Sequence, residues 1–122
     1  MNTINDKIKK YERLAVKKPN YYFSIGDLYS DDGDFKTATT YYQKAVDNGV
    51  LAYTVLGDTW GYRSQYKKAF DVYTEGANKG EAECFARLGF CYETGYVKID
   101  IQKAIECYAK ASDLGVAAAA RS

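Results

Sequence analysis

The 122-residue chain has no histidine and only one proline, one methionine, one tryptophan and three cysteines. Each scarcity excludes something. Without histidine, Ser–His and Cys–His nucleophile pairs and imidazole acid–base chemistry are ruled out. A single proline, with no dense Val/Ile alternation, points to helix and away from sheet. No apolar stretch approaches the ~18 residues of a membrane span. The N-terminus is rich in Asn, Asp and Lys and lacks the apolar core of a secretory leader. A cytoplasmic protein is expected. The odd cysteine count suits that reducing compartment, since Cys84, Cys91 and Cys107 fall at core-like positions. With a net charge of +1, no overall field favours nucleic acid or an anionic membrane.

Tyrosine, by contrast, is abundant, with 13 residues. Charge is segregated. Residues 1–20 carry six basic and two acidic side chains, and residues 21–49 carry two basic and five acidic. This pattern reads as solvated helix faces or as a basic docking patch.

The organising feature is repetition. Gly26, Gly57 and Gly89 each follow an apolar residue and each precede an aromatic by three (Tyr29, Trp60, Tyr92). They stand 31 and 32 residues apart. The next key alanines, Ala38, Ala69 and Ala104, come 12, 12 and 15 residues later, and closing glycines (Gly49, Gly80, Gly115) follow each alanine by 11. Each unit reads as two helices, the first at about 20–32, 50–62 and 81–94, the second at about 34–48, 65–79 and 100–114. Apolar residues at i, i+3, i+4 and i+7, such as Tyr22, Ile25, Gly26 and Tyr29, give each a buried stripe. Three mid-helix glycines, each costing about 1 kcal/mol relative to alanine, imply a close approach of helices, expected here between Gly26 and Ala38. The short connections at 31–33 and 62–64 make the paired helices antiparallel. Gly49, Gly80 and Gly115 supply left-handed C-caps. Lys7 to Lys18 reads as a half unit ended by Pro19. The units run from about 20–49, 50–80 and 81–115, preceded by a helix within 3–18 and followed by a stub at 116–122. The stub reads as a short cap or as the start of a further unit.

The run Tyr22, Ile25-Gly26, Tyr29, Gly33-Asp34-Phe35, Ala38, Tyr42, Ala45 resembles the tetratricopeptide repeat. The third unit is similar to the related Sel-one-like repeat, through Ala82, Leu88-Gly89, Tyr92, Gly95, Val97, Asp100, Lys103-Ala104, Tyr108, Ala111 and Gly115. The resemblance implies an all-α, right-handed α-solenoid of antiparallel helix pairs, in one domain spanning 1–122. It implies a non-catalytic scaffold that binds a protein or peptide on the concave face lined by the first helices.

Little chemistry competes with that reading. The three cysteines lack the tight spacing of a structural zinc site, so inert buried thiols are expected ahead of a redox pair or a metal site. Neither metal nor cofactor is expected, and phosphate-loop spacing is missing. Asp27, Asp58 and Glu93 recur at similar positions of successive units, as any polar groove face would show, and no enzyme is expected. The groove stripe beside the core positions comprises Asn20, Phe23, Asp27, Ser30 and Asp31, then Thr54, Asp58 and Tyr62, then Glu83, Ala86, Phe90 and Glu93. It mixes acids with aromatics and contains no Lys or Arg. A partner with basic and apolar residues is therefore expected, and not a terminal carboxylate or RNA. Phe23 and Phe90 could instead be packed by a neighbouring helix. Self-association through the unfinished C-terminal end is the alternative function.

Overall fold

The computed structural model describes residues 3–115. Among them it contains seven helices and no strand: α1 (Thr3–Ala15), α2 (Asn20–Asp31), α3 (Phe35–Asp47), α4 (Tyr53–Tyr62), α5 (Tyr66–Asn78), α6 (Glu83–Thr94) and α7 (Ile101–Asp113). The hairpins α2/α3, α4/α5 and α6/α7 pack most extensively. Successive hairpins meet through α3 on α4 and α5 on α6, and α1 lies on α2. The fold is an all-α solenoid in which elements touch mainly their chain neighbours. The stretch 116–122, expected as a stub, lies outside the described residues.

The core runs along the stack. Ile25, Tyr42, Leu56, Cys84 and Cys91 are its largest fully buried apolar side chains. Ile25, Tyr42 and Leu56 sit on the stripes that the repeat predicts, whereas Cys84 and Cys91 lie one position before the stripe residues Phe85 and Tyr92, which are only half-buried.

Two expectations need correction. The N-terminal helix ends at Ala15, not at Lys18. The amides of Lys17 and Lys18 both donate to the Leu14 carbonyl, at 3.1 and 2.9 Å, so the chain leaves the helix through a tight turn well before Pro19.

The second correction concerns the mid-helix glycines, which face tyrosines and not alanines. A Cβ added at Gly26 would lie 2.6 Å from the Tyr42 ring, and one at Gly89 would lie 2.9 Å from the Tyr108 ring. Gly57 meets Tyr73 in the same way. Each glycine is thus a notch into which the partner helix lays an aromatic ring. The alanines Ala38, Ala69 and Ala104 are buried, with the tyrosines one turn further along.

The first hairpin is closed off from the second by its own backbone. After α3, the Val50 amide donates to the Ala45 carbonyl and the Gly49 amide to Val46, with Gly49 at φ +87°. This is the paired hydrogen-bond pattern of a left-handed helix stop. Asp34 caps α3 by accepting from the Thr37 amide at 3.1 Å, and Asp100 caps α7 by accepting from Lys103 at 3.1 Å. The Asp34 carboxyl is held below its ordinary range by the Thr37 backbone hydrogen bond.

Candidate functional site

A tyrosine hydroxyl and an acid join the two helices of every unit. Tyr42 donates to Asp27 Oδ1 at 2.6 Å, Tyr73 donates to Asp58, and Tyr108 donates to Glu93 Oε1 at 2.7 Å. Acid and tyrosine are 15 residues apart in all three pairs. In the first two units the acid follows the notch glycine directly. The third unit's longer connection displaces its tyrosine by three residues, and the acid moves one helical turn with it, to Glu93. Burial first, then the carboxylate, pushes the Tyr108 phenol up to about 12 and shifts Tyr73 strongly in the same direction. These carboxylates therefore act as acceptors that order the stack, not as a facing acid–base pair.

Between the second and third units this lattice opens into a cleft of about 400 Å³, lined by Asp58, Tyr62, Tyr73, Ala86, Arg87, Phe90, Tyr96 and Tyr108. At one side Arg87 grips Asp58 with two bonds, Nε to Oδ1 at 2.9 Å and Nη2 to Oδ2 at 3.3 Å. Its Nη1 also reaches Glu83 at 3.4 Å. Such a two-pronged guanidinium–carboxylate contact fixes geometry as well as charge. Aromatic rings form the opposite wall. Tyr96 packs edge-on to Phe90, with centroids 5.5 Å apart, and lies 4.5 Å from Tyr66. Tyr62 is 64 % exposed and Phe90 43 %, high values for side chains of that size.

The structure distributes the predicted stripe unevenly. Asp58, Tyr62, Ala86 and Phe90 meet in the cleft, and Glu83 joins through Arg87. Glu93 is exposed and takes the Tyr108 hydroxyl. Ala86 is buried and contributes shape only. Thr54 is also buried, its hydroxyl and amide both donating to Glu81. In the first unit, Phe23 packs against the Tyr42 ring at 5.4 Å, and Asp27 and Ser30 lie around the Tyr42 hydroxyl. Asp31 is exposed at the end of α2, and Asn20 borders a separate depression with Lys18 and Tyr21. The first-unit residues and the cleft residues do not come together.

Sequence reasoning missed Arg87 and Tyr96. The stripe was expected to hold no cation, yet Arg87 reaches into it from beside Ala86. The Glu83–Arg87 spacing of one helical turn was the available signal. Tyr96 sits on the irregular connection after Gly95, where no periodicity applies.

All three cysteines are free. Burial pushes the Cys84 and Cys91 thiols up to about 12, which makes them inert packing groups. Among the described residues, no group of acids and cysteines is arranged to hold a metal ion, and no helix is long and apolar enough to cross a membrane.

The Sel1 repeat family model matches residues 83–116, and the tetratricopeptide repeat model matches residues 19–48. The chain thus carries a tetratricopeptide repeat and a Sel1 repeat. A comparison with curated proteins finds no match. Among solved structures, a Sel1 repeat protein from Oxalobacter formigenes is similar over 97 % of this chain, with a TM-score of 0.79 and 22 % identity. MamA is similar over 88 %, with a TM-score of 0.66 and 23 % identity. Both likenesses concern the fold. The chain spans 51 % of the first and 66 % of the second. Repeats of these two kinds are, as classes, protein–protein interaction modules and typically non-enzymatic scaffolds.

Proposed function

We propose that this repeat protein is a non-catalytic adaptor whose cleft between the second and third units receives a segment of a partner protein. One observation carries the reading: Tyr62 and Phe90 stay substantially exposed beside a cleft of about 400 Å³ whose charged side is already fixed by Arg87 and Asp58. Exposed aromatics around a preformed depression are the usual anchors of recognition surfaces. Since Asp58 is engaged by both Arg87 and Tyr73, apolar or aromatic side chains of the partner supply the anchoring. A Lys or Arg on the partner would meet Glu83 and Glu93 at the rim. The remaining stripe residues, Asn20, Phe23, Asp27, Ser30, Asp31 and Thr54, serve packing or lie apart from the cleft. The unpaired thiols suit a cytoplasmic setting.

The test is capture of partners by the intact protein and by the Tyr62→Ala/Phe90→Ala double variant. Loss of the same captured proteins, with an unchanged melting curve, supports the reading. Equal capture by both sinks it.

Self-association is a second reading, favoured by the outer face of α7. Ile105 is 55 % exposed, whereas its counterpart Thr39 is 4 % exposed and its counterpart Phe70 packs edge-on to Tyr92 of the next unit. Ile101, one turn earlier, is equally bare at 55 %. A second copy covering this face would raise the sedimentation coefficient with concentration, and a concentration-independent value excludes it.

A further inference from the structure

A second cleft, of about 420 Å³, lies in the seam between α3 and the end of α4. It is lined by Lys36, Thr39, Thr40, Gln43, Lys44, Trp60 and Arg63, and it contains no carboxylate. Its charge is therefore of one sign, opposite in character to the Asp58 cleft. Trp60 anchors it: the Arg63 guanidinium lies 4.5 Å from the ring centroid and the Lys68 ammonium 4.6 Å. The ion pairs among the described residues are Lys67–Asp71, Arg87–Asp58 and Arg87–Glu83, so none of Lys36, Lys44, Arg63 and Lys68 is in direct contact with a carboxylate there. Arg63, Lys68 and Lys44 are held in place on aromatic faces instead. Lys44 is itself 5.1 Å from the Tyr41 ring centroid.

The spacing of the charges selects among anions. Lys36 and Lys44 are eight residues apart on one face of α3, which separates them by about 12 Å along the axis. A single phosphate is too small to span that distance. An extended peptide advances about 3.3 Å per residue, so two carboxylates about four residues apart would reach both lysines. Single-stranded nucleic acid gains much of its affinity by stacking bases on open aromatic rings, and the Trp60 ring is already occupied by two cations. We propose that this seam is a second docking site, which takes an acidic segment of a partner protein laid along α3, with its carboxylates on Lys36, Lys44 and Arg63. The proposal is independent of the function assigned to the Asp58 cleft, with which the seam shares no residue.

Trp60 is the chain's one tryptophan, so its fluorescence reports this site and no other. The full chain is titrated with a synthetic peptide carrying Glu at every fourth residue among Gly and Ala, with its Lys counterpart, and with an oligothymidylate. A saturable change in Trp60 emission is expected with the Glu peptide and not with the Lys peptide. The Lys36→Ala/Lys44→Ala variant should weaken that binding about tenfold. Lys9→Ala/Lys10→Ala removes the same charge from α1 and should leave the binding unchanged. No saturable response to the Glu peptide overturns the proposal. So does equal weakening by the α1 variant, which would show general charge attraction. Tighter binding of the oligothymidylate, sensitive to Lys36 and Lys44, would make the seam a nucleic-acid site instead.

Discussion

The notch glycine and its tyrosine are the smallest unit of specificity in this protein. Gly57 accepts the Tyr73 ring where any side chain would collide, and the ring's hydroxyl then reaches Asp58, the next residue. Helix propensity and packing make opposite predictions for Gly57→Ala. Propensity favours alanine by about 1 kcal/mol, whereas overpacking a filled contact costs about 1–3 kcal/mol. The ring cannot retreat easily, because Tyr73 is 3 % exposed and tied to Asp58. Net destabilisation is expected, read as a lower urea midpoint, and a higher midpoint would show that the ring yields. The sequence made the glycine conspicuous but not its partner. From unit to unit the glycine-to-alanine spacing (12, 12 and 15) and the glycine-to-tyrosine spacing (16, 16 and 19) change together, so spacing cannot tell which of the two side chains enters the notch. Three dimensions decide it, because the tyrosine lies a turn beyond the alanine and is long enough to cross.

At the level of elements, the helix boundaries were legible where capping residues and stop glycines give local signals, and not at Pro19, which stands beyond the end of α1 at Ala15. The α4–α5 turn is the exception that tests the rule. Where the first unit uses Gly33 at φ +81°, this turn places Ser64 at φ +61°, with the same closing bonds: Ser64 to Gly61 at 2.9 Å and Gln65 to Trp60 at 2.9 Å. A side chain in that left-handed region costs roughly 1–2 kcal/mol that glycine does not incur. Ser64→Gly should therefore raise the melting temperature, since no Ser64 side-chain bond offsets the strain. An unchanged or lowered melting temperature would mean that glycine's extra freedom in the unfolded chain cancels the relief. The cleft was less legible than the helices for a related reason. Asp58, Ala86 and Phe90 lie on regular helices and could be placed by counting. Tyr96 lies on the connection after Gly95, and Arg87 enters by virtue of a long side chain, which counting by turns does not follow.

For the whole molecule, stability is shared between neighbours, and one contact shows how. α4 has Ala52 at its N-cap position and no side-chain cap of its own. Glu81, which stands just past Gly80 at the start of the next unit, supplies it. Its carboxylate accepts the Tyr53 amide at 3.0 Å and the Thr54 amide at 2.6 Å. Glu81→Ala strips both amides of their partner and should cost about 1–3 kcal/mol. Faster hydrogen exchange at Tyr53 and Thr54 would accompany the lower urea midpoint. Unaltered exchange there would show that water replaces the carboxylate without loss. Nothing local in the sequence marked this role, because donor and acceptor belong to different units and the equivalent position in the second unit is Val50.

The direction of that cap bears on how the chain is made. Residues 50–80 leave the ribosome before Glu81 does, so the second hairpin emerges with the head of its first helix open. Closure waits for the first residue of its successor. The second unit is thus finished from behind, sealed by the unit that follows it, and a pause in translation just before codon 81 would hold that hairpin in its least protected form.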